Sequence, residues 1–268
     1  MPIVGSALSP YLSRNKSNRK TAVRSTGGIV VSQNRAASEI GARVLKAGGH
    51  AVDAAVATAF ALGVVEPWMS GIGGVGVALV RDAKSGKVTG FDFGGRSPKG
   101  LKVADFKLAA GADGDLFGWP VVEGNINTVG YKAVVAPSEP AGLALLHKSY
   151  GRQRWGDLVM PAVALAREGL AVDWHTTLII ATAFADLARD KGTAARFLPG
   201  GAPPVPPAAT DPRPTKSLPM PELAATLQAI AEHGAAVLYD GPIAKGIAED
   251  IRAGGGYLIE ADLKAVTA

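Results

Sequence analysis

The sequence predicts an α+β protein with a sheet-containing front and a mainly helical back. Three observations carry this. Apolar residues recur at helical spacing through Ala36, Ala37, Ile40, Val44 and Leu45, and again almost without interruption from Val52 to Val64. Two short runs, Val77–Arg81 and Val88–Phe93, flank a Lys84-Ser85-Gly86-Lys87 turn, which is the pattern of a β-hairpin. From Pro137 onward one helical segment follows another. With 268 residues, 47% of them hydrophobic, the chain is long enough to bury a sizeable core. Its 34 glycines and few aromatics suit helices packed closely on a sheet.

Taken in order, residues 1–26 read as an irregular basic arm. Arg14, Lys16, Arg19, Lys20 and Arg24 have no acid nearby, as in a solvated tail or a contact for an acidic partner. No nucleic-acid-binding motif accompanies them, so no such partner is inferred. Gly28–Ser32 is an expected strand, and Asn34 is a suitable cap for the helix that follows, with Gly48-Gly49 as its stop. The Val52–Val64 helix is apolar nearly all round, so it belongs in the core. Pro67 ends it. After the hairpin, Gly94–Pro98 reads as an exposed turn and residues 111–135 as a loop or two short strands.

The sheet-containing part therefore spans 27–135 and the helical part 136–268. Expected helices in the second are Pro140–Tyr150, Trp155–Glu168, a long amphipathic Asp173–Arg189, Pro221–His233 and Pro242–Ala253, with a last piece from Glu260. Pro199–Pro214 holds seven prolines and reads as a surface loop.

Several chemistries drop out early. There is no cysteine, which removes disulfides, thiolate metal sites and cysteine nucleophiles. His50, His147, His175 and His233 are scattered without partners at metal spacing, and no cofactor or metal is implied. Gly71-Ile-Gly-Gly-Val-Gly76 spells G-x-G-x-x-G, but a dinucleotide site needs a strand before the loop and a helix after it; here the order is reversed. No G-x-S-x-G nucleophile turn is present. Asp53, inside an apolar helix, must find partners, since a lone buried carboxylate is costly. Glu66 is placed to cap amides of the following glycine loop. Arg96, after two glycines at a strand end, is either an ordinary surface arginine or a carboxylate-gripping one.

The segments Gly27–Gly41 and Leu45–Ala55, together with Val65-Glu-Pro-Trp-Met-Ser-Gly-Ile-Gly-Gly74, resemble the start of gamma-glutamyltranspeptidases and their V-E-P-x-x-S-G-I-G-G signature. Pro140-Ala-Gly-Leu, Met160–Gly169, Leu238–Ala244 and Asp262-Leu-Lys resemble later motifs of that family in the same order. The resemblance covers about residues 27–265. It implies an N-terminal-nucleophile hydrolase fold, an αββα sandwich completed together with a small subunit. It also implies a precursor that cuts itself and exposes a threonine in the small subunit. That threonine attacks an amide, with its own α-amino group as base. This chain would then be scaffold and one wall of the pocket, the large-subunit part, inactive alone and without a catalytic residue of its own. Thr267 lacks the T-T or T-S context of such a nucleophile.

One departure touches specificity. The family's carboxylate-binding arginine sits in D-x-R-E-x-A-P, whereas this chain reads Asp92-Phe-Gly-Gly-Arg-Ser-Pro98. Gly94 occupies the arginine's place and Arg96 lies two positions later, on the same face of an extended strand. Arg96 is therefore the expected substrate-binding residue. The expected activity is cleavage or transfer of a gamma-glutamyl group, as from glutathione. The alternatives are an amidase for another acyl group (oxamate or a cephalosporin side chain) and a non-catalytic relative. No secretory-length apolar run follows the basic start, and Ala51–Val65 is too short to span a bilayer. The expected location is the cytoplasm, or the periplasm for a precursor with a leader.

Overall fold

The computed structural model describes residues 22–112, 118–207 and 216–268. Most of the basic arm and residues 208–215 of the proline-rich loop lie outside the described residues.

Helix α1 (Arg35–Lys46) starts where expected, with the Asn34 side chain accepting from the Ala36 amide. Its end is a Schellman turn. Gly48, at φ +84°, donates to the Leu45 carbonyl and Gly49 donates to that of Val44. Helix α2 (Ala51–Val65) follows at once and is the central element of the core, with Val56, Ala57 and Ala61 fully enclosed. Its first turn is a capping box: His50 Nδ1 accepts from the Val52 amide, and Asp53 accepts from the His50 amide at 2.7 Å. The Asp53 carboxylate also receives the Arg152 and Gln153 amides at 2.9 and 3.4 Å. The partners that burial demanded are thus three backbone N–H groups, one local and two from the loop after α3.

Strands β1 (Gly76–Arg81) and β2 (Val88–Phe93) form the expected antiparallel hairpin, with Gly76 opposite Phe93 and Arg81 opposite Val88. Asp82 closes its turn by accepting from the amide and hydroxyl of Ser85, and those bonds hold its carboxyl below the usual range. The two faces of the hairpin differ. Ala78, Val80, Phe91 and Phe93 turn toward the helices, whereas Val77 and Leu79 are 77% and 79% exposed. Strands β3 (Leu108–Ala112) and β4 (Pro120–Val122) pair across the region expected to be a loop or two short strands.

Helix α3 (Glu139–Tyr150) then packs onto the hairpin and α2, and α4 (Trp155–Glu168) packs onto α2. The Phe93 ring lies on Gly142 of α3 so closely that a Cβ there would fall 2.1 Å from it. A short strand β5 (Leu170–Ala171) leads into α5 (Trp174–Thr182), α6 (Phe184–Leu187) and α7 (Lys191–Phe197). Strand β6 (Ser217–Leu218) pairs with β5, and α8 (Pro221–His233), α9 (Pro242–Ala253) and α10 (Glu260–Lys264) complete the chain. The Trp155 indole sits edge-on to Phe60 of α2 and donates to the Ile230 carbonyl at 2.8 Å, tying α4 to both α2 and α8. No helix among the described residues is long and apolar enough to cross a membrane.

Two expectations are corrected. Gly28–Ser32 is no strand. A strand exists through pairing, and this segment runs beside none of the described ones. Ser32 donates its amide to the Ser38 hydroxyl, while Ile29 and Val31 are largely exposed. The single helix Asp173–Arg189 is two short pieces, α5 and α6, and α7 begins only beyond it at Lys191. The Thr182 hydroxyl bonds the Ile179 carbonyl near the break, and Asp190 caps a new helix by accepting from the Thr193 amide.

Candidate active site

Because Gly76 pairs with Phe93, the chain enters β1 and leaves β2 at the same end of the hairpin. That register brings the glycine loop before β1 beside Gly94-Gly95-Arg96 after β2, although the two lie apart in sequence. A third segment, Val135–Glu139, is stitched to both. The Ala136 amide donates to the Arg96 carbonyl at 2.9 Å, and the Ser138 and Glu139 amides both donate to the Gly74 carbonyl at 3.0 Å. The Ser138 hydroxyl donates to the Phe93 carbonyl. Around this junction lies a hollow of about 450 Å³ lined by Pro67, Trp68, Met69, Ser70, Gly71, Gly73, Gly74, Val75 and Glu139.

The glycine loop is held by carbonyls and by one acid. The Glu66 carbonyl accepts from the amides of Met69 and Ser70, and the Gly71 carbonyl from that of Gly74. The acid is not the expected one. No loop amide reaches the Glu66 side chain; the Gly71 amide goes instead to Glu139 Oε2, at 3.3 Å. Glu139 opens α3 and is half-buried under the loop, and burial pushes its carboxyl up to about 7 against a small opposing pull from the Gly71 N–H. Beside it, burial raises the Tyr239 phenol to about 12, and the phenol oxygen accepts from the Ala141 amide.

Sequence reasoning missed Glu139. An acid before Pro140 reads as an ordinary first-turn residue, and its burial depends on a loop 68 residues away. The nearest available signal was the run Ser138-Glu139-Pro140, a capped helix start with a charge just ahead of a rigid residue.

Arg96 is exposed, and its guanidinium makes no hydrogen bond or ion pair with any described residue. Only its backbone is anchored, by the bridge to Ala136. The preceding Gly95 is wedged between Val75 and Val135, where a Cβ would sit 2.8 Å from a methyl of each. Arg96 thus follows directly on a glycine packed against Val75, a lining residue of the hollow, and its own side chain has no bond to a described residue. Asp92 is occupied locally, accepting from the Gly94 amide.

The histidines do not gather here. His50 caps α2, His147 bonds the Gln153 carbonyl, His233 ends α8, and His175 stacks edge-on against Trp68. No group of three or more histidine or carboxylate side chains among the described residues is placed to hold a metal ion.

A glycine loop and a half-buried acid lie at one end of a hairpin that helices cover on one face, the arrangement of a layered α+β fold. Residues 37–268 match the sequence profile of gamma-glutamyltranspeptidase. The chain is 33% identical over 242 residues to glutathione hydrolase 3 of Arabidopsis thaliana, covering 90% of this chain and 34% of that protein. It is 35% identical over 236 residues to the acylase ACY 1 proenzyme of Pseudomonas sp. (strain V22), covering 88% of this chain and 40% of that one. Among solved structures it is similar to Helicobacter pylori gamma-glutamyltranspeptidase, with TM-score 0.79 and 30% identity over 92% of this chain and 66% of that chain. It is also similar to the cephalosporin acylase of Bacillus halodurans, with TM-score 0.78 and 28% identity over 98% of this chain and 46% of that chain. The chain belongs to the gamma-glutamyltranspeptidase family, within the N-terminal-nucleophile hydrolases. It spans between a third and a half of the length of the curated relatives named here.

Proposed function

We propose that this chain is the larger part of an amide-cleaving enzyme of the gamma-glutamyltranspeptidase kind, and that Arg96 grips an acidic group on the acyl donor. The observation that carries this reading is the Arg96 guanidinium, unpaired among the described residues and one position past a glycine packed against Val75 of the hollow. A planar fork with no internal partner is free to take a carboxylate through two parallel hydrogen bonds. The nucleophile comes from a companion segment. The bare Val77/Leu79 face of the hairpin supports that part, because exposed apolar residues at the centre of a two-stranded sheet call for a cover.

In the proposed reaction the companion's N-terminal threonine passes its hydroxyl proton to its own α-amino group and attacks the amide carbonyl carbon. The C–N bond breaks, the amine leaves with a proton, and water or a second amine takes the acyl group from the threonine oxygen. The residues of this chain orient the donor and shape the pocket. The working compartment is the cytoplasm, or the periplasm for a precursor that carries a leader.

A second reading keeps the chemistry and changes the acyl group. Gly94-Gly95 stand where the family pattern has Arg-Glu, and the space at Gly95 is too tight for a side chain. A glutamyl donor would thus be held differently here, and an oxamate-like or cephalosporin-side-chain amide becomes a candidate.

The test uses the full-length protein that contains this chain. Intact-mass analysis should show self-cleavage into two fragments, the second beginning with threonine. Anilides of gamma-glutamate, of a simple dicarboxylate and of a neutral acyl group then rank the donors. Absence of both self-cleavage and anilide turnover would overturn the proposal; preference for the dicarboxylate would select the second reading.

A further inference from the structure

We propose that a second hollow, which shares Trp68 with the one beside the glycine loop, binds a small aromatic ring carried by the substrate. The inference deepens the function proposed above by naming a substrate feature, and it rests on that reading for which molecule brings the ring.

This hollow has a volume of about 120 Å³ and opens to solvent. Its walls come from three places in the chain: Pro67 and Trp68 after α2, Ile179, Ala183 and Leu187 along α5 and α6, and Phe197 of α7. No side chain on the wall carries a charge, and the Trp68 indole N–H is the one hydrogen-bonding group among those side chains. A buried water is held well only where it finds about two to four polar partners. Water here finds few, so an apolar group displaces it with a gain. An apolar cavity of roughly 150 Å³ takes benzene, and this hollow, with an open side, has space for a single ring. Trp68 and Phe197 make two of its walls aromatic. Paired aromatic rings attract each other beyond the area they bury, which favours a ring over an alkyl group of the same size.

The local structure keeps the space open and its aromatic wall in place. Helix α5 ends at Thr182 and α6 begins at Phe184, with Ala183 at the break between them. Its methyl is the smallest side chain on the wall, so nothing from the break fills the hollow. The Trp68 ring meets His175 edge-on at a centroid separation of 5.5 Å, and His175 in turn meets Trp174 at 5.5 Å. This row of three rings braces the indole from the start of α5. The link to the substrate is the shared wall, since Pro67 and Trp68 line both hollows. A molecule seated beside the glycine loop thus lies against Trp68, and a ring attached to it has this hollow as the adjacent apolar space.

The ring has two possible carriers, the acyl donor or the amine that accepts the acyl group, and the experiment separates them. It uses the full-length protein, so that a hollow filled by the rest of the chain registers as absent binding. In a binding arm, toluene followed by ligand-observed NMR should bind the unmodified protein. Ala183→Leu puts a bulkier side chain on the wall and should weaken toluene roughly tenfold or more. Leu187→Phe fills the hollow from α6 and should do the same, so the test does not hang on one variant folding. In a kinetic arm, donors and acceptors are compared in pairs that differ by a phenyl in place of a methyl group. The KM advantage of phenyl over methyl should fall roughly tenfold or more in each filled variant, with the kcat ratio of the pair unchanged. A fall confined to the donor pair assigns the ring to the acyl donor, and one confined to the acceptor pair assigns it to the amine. Absence of toluene binding by the unmodified protein, binding that survives both fillers, or an active enzyme without a phenyl preference would overturn the proposal. Ring binding that the fillers abolish in a protein without amide turnover would overturn the enzymatic reading and keep the site.

Discussion

The Ser138 hydroxyl donates to the carbonyl of Phe93, the last residue of β2, so the side chain placed to cap α3 closes the end of the hairpin instead. Ser138 is 2% exposed and its own amide binds the Gly74 carbonyl, so this one residue ties the glycine loop and the strand end to the start of α3. Replacing it with alanine removes that hydrogen bond from the buried end of β2. The expected loss is about 1–2 kcal/mol, read as a lower urea midpoint with an unchanged slope. A midpoint unchanged from the parent would show that the Ser138 bond does not stabilise the junction.

Glu139 makes stability depend on pH near neutrality. Its folded pKa is raised from 4.5 to about 7 by burial, so the folded state holds the proton more tightly than the unfolded chain. The resulting stabilisation is fully present below the unfolded value and is lost as pH rises through about 7. Glu139→Gln, always neutral, should therefore match the parent near pH 4.5 and exceed it near pH 8. The gain should be on the order of 2–3 kcal/mol. Thermal melts across that range measure it, and parallel curves for the two proteins would contradict the buried, unpaired placement.

Asp53 should behave in the opposite manner to a dispensable helix charge. It is completely buried and accepts from the amides of His50, Arg152 and Gln153. Asp53→Ala strands those donors and should cost about 3 kcal/mol or more. Asp53→Asn keeps an acceptor and should cost less. Denaturant unfolding of the pair provides the comparison.

Arg96→Ala should leave stability nearly unchanged, because the exposed side chain makes no hydrogen bond or ion pair with a described residue and the backbone bridge to Ala136 remains. Its effect should fall on the full-length enzyme's kcat/KM for acidic donors. A lost bidentate contact of about 2–3 kcal/mol corresponds to a fall of tens to hundreds of fold. Neutral donors should lose little, and an equal fall for both kinds would remove Arg96 from substrate binding.

Gly142→Ala would press a methyl into the Phe93 ring, 2.1 Å from its nearest atom. Strain of about 1–3 kcal/mol is expected from such overpacking, visible as a lower melting temperature. Because Phe93 ends beside the glycine loop, donor affinity should shift as well.

Features that one stretch of chain decides were legible in the sequence. The Asn34 cap and the Gly48-Gly49 stop were readable because their hydrogen bonds close within a few residues. The same holds for α8 and α9, which begin at Pro221 and Pro242 as their prolines dictate. Asp53 was readable as a demand for partners, though not which ones. The segment 173–189 misled because its apolar residues keep a helical rhythm across Thr182 and Ala183, while local side-chain bonds break the backbone there.

By itself, then, the sequence determined most of the helices, and the hairpin with its turn. These follow from periodicity, turn chemistry and short-range hydrogen bonds. Only the tertiary structure decided that Gly28–Ser32 pairs with no described strand, that Glu139 rather than Glu66 takes the Gly71 amide, and that the Arg96 side chain bonds to no described residue. Pairing, burial and solvation depend on which distant segment arrives alongside, and no local pattern records that.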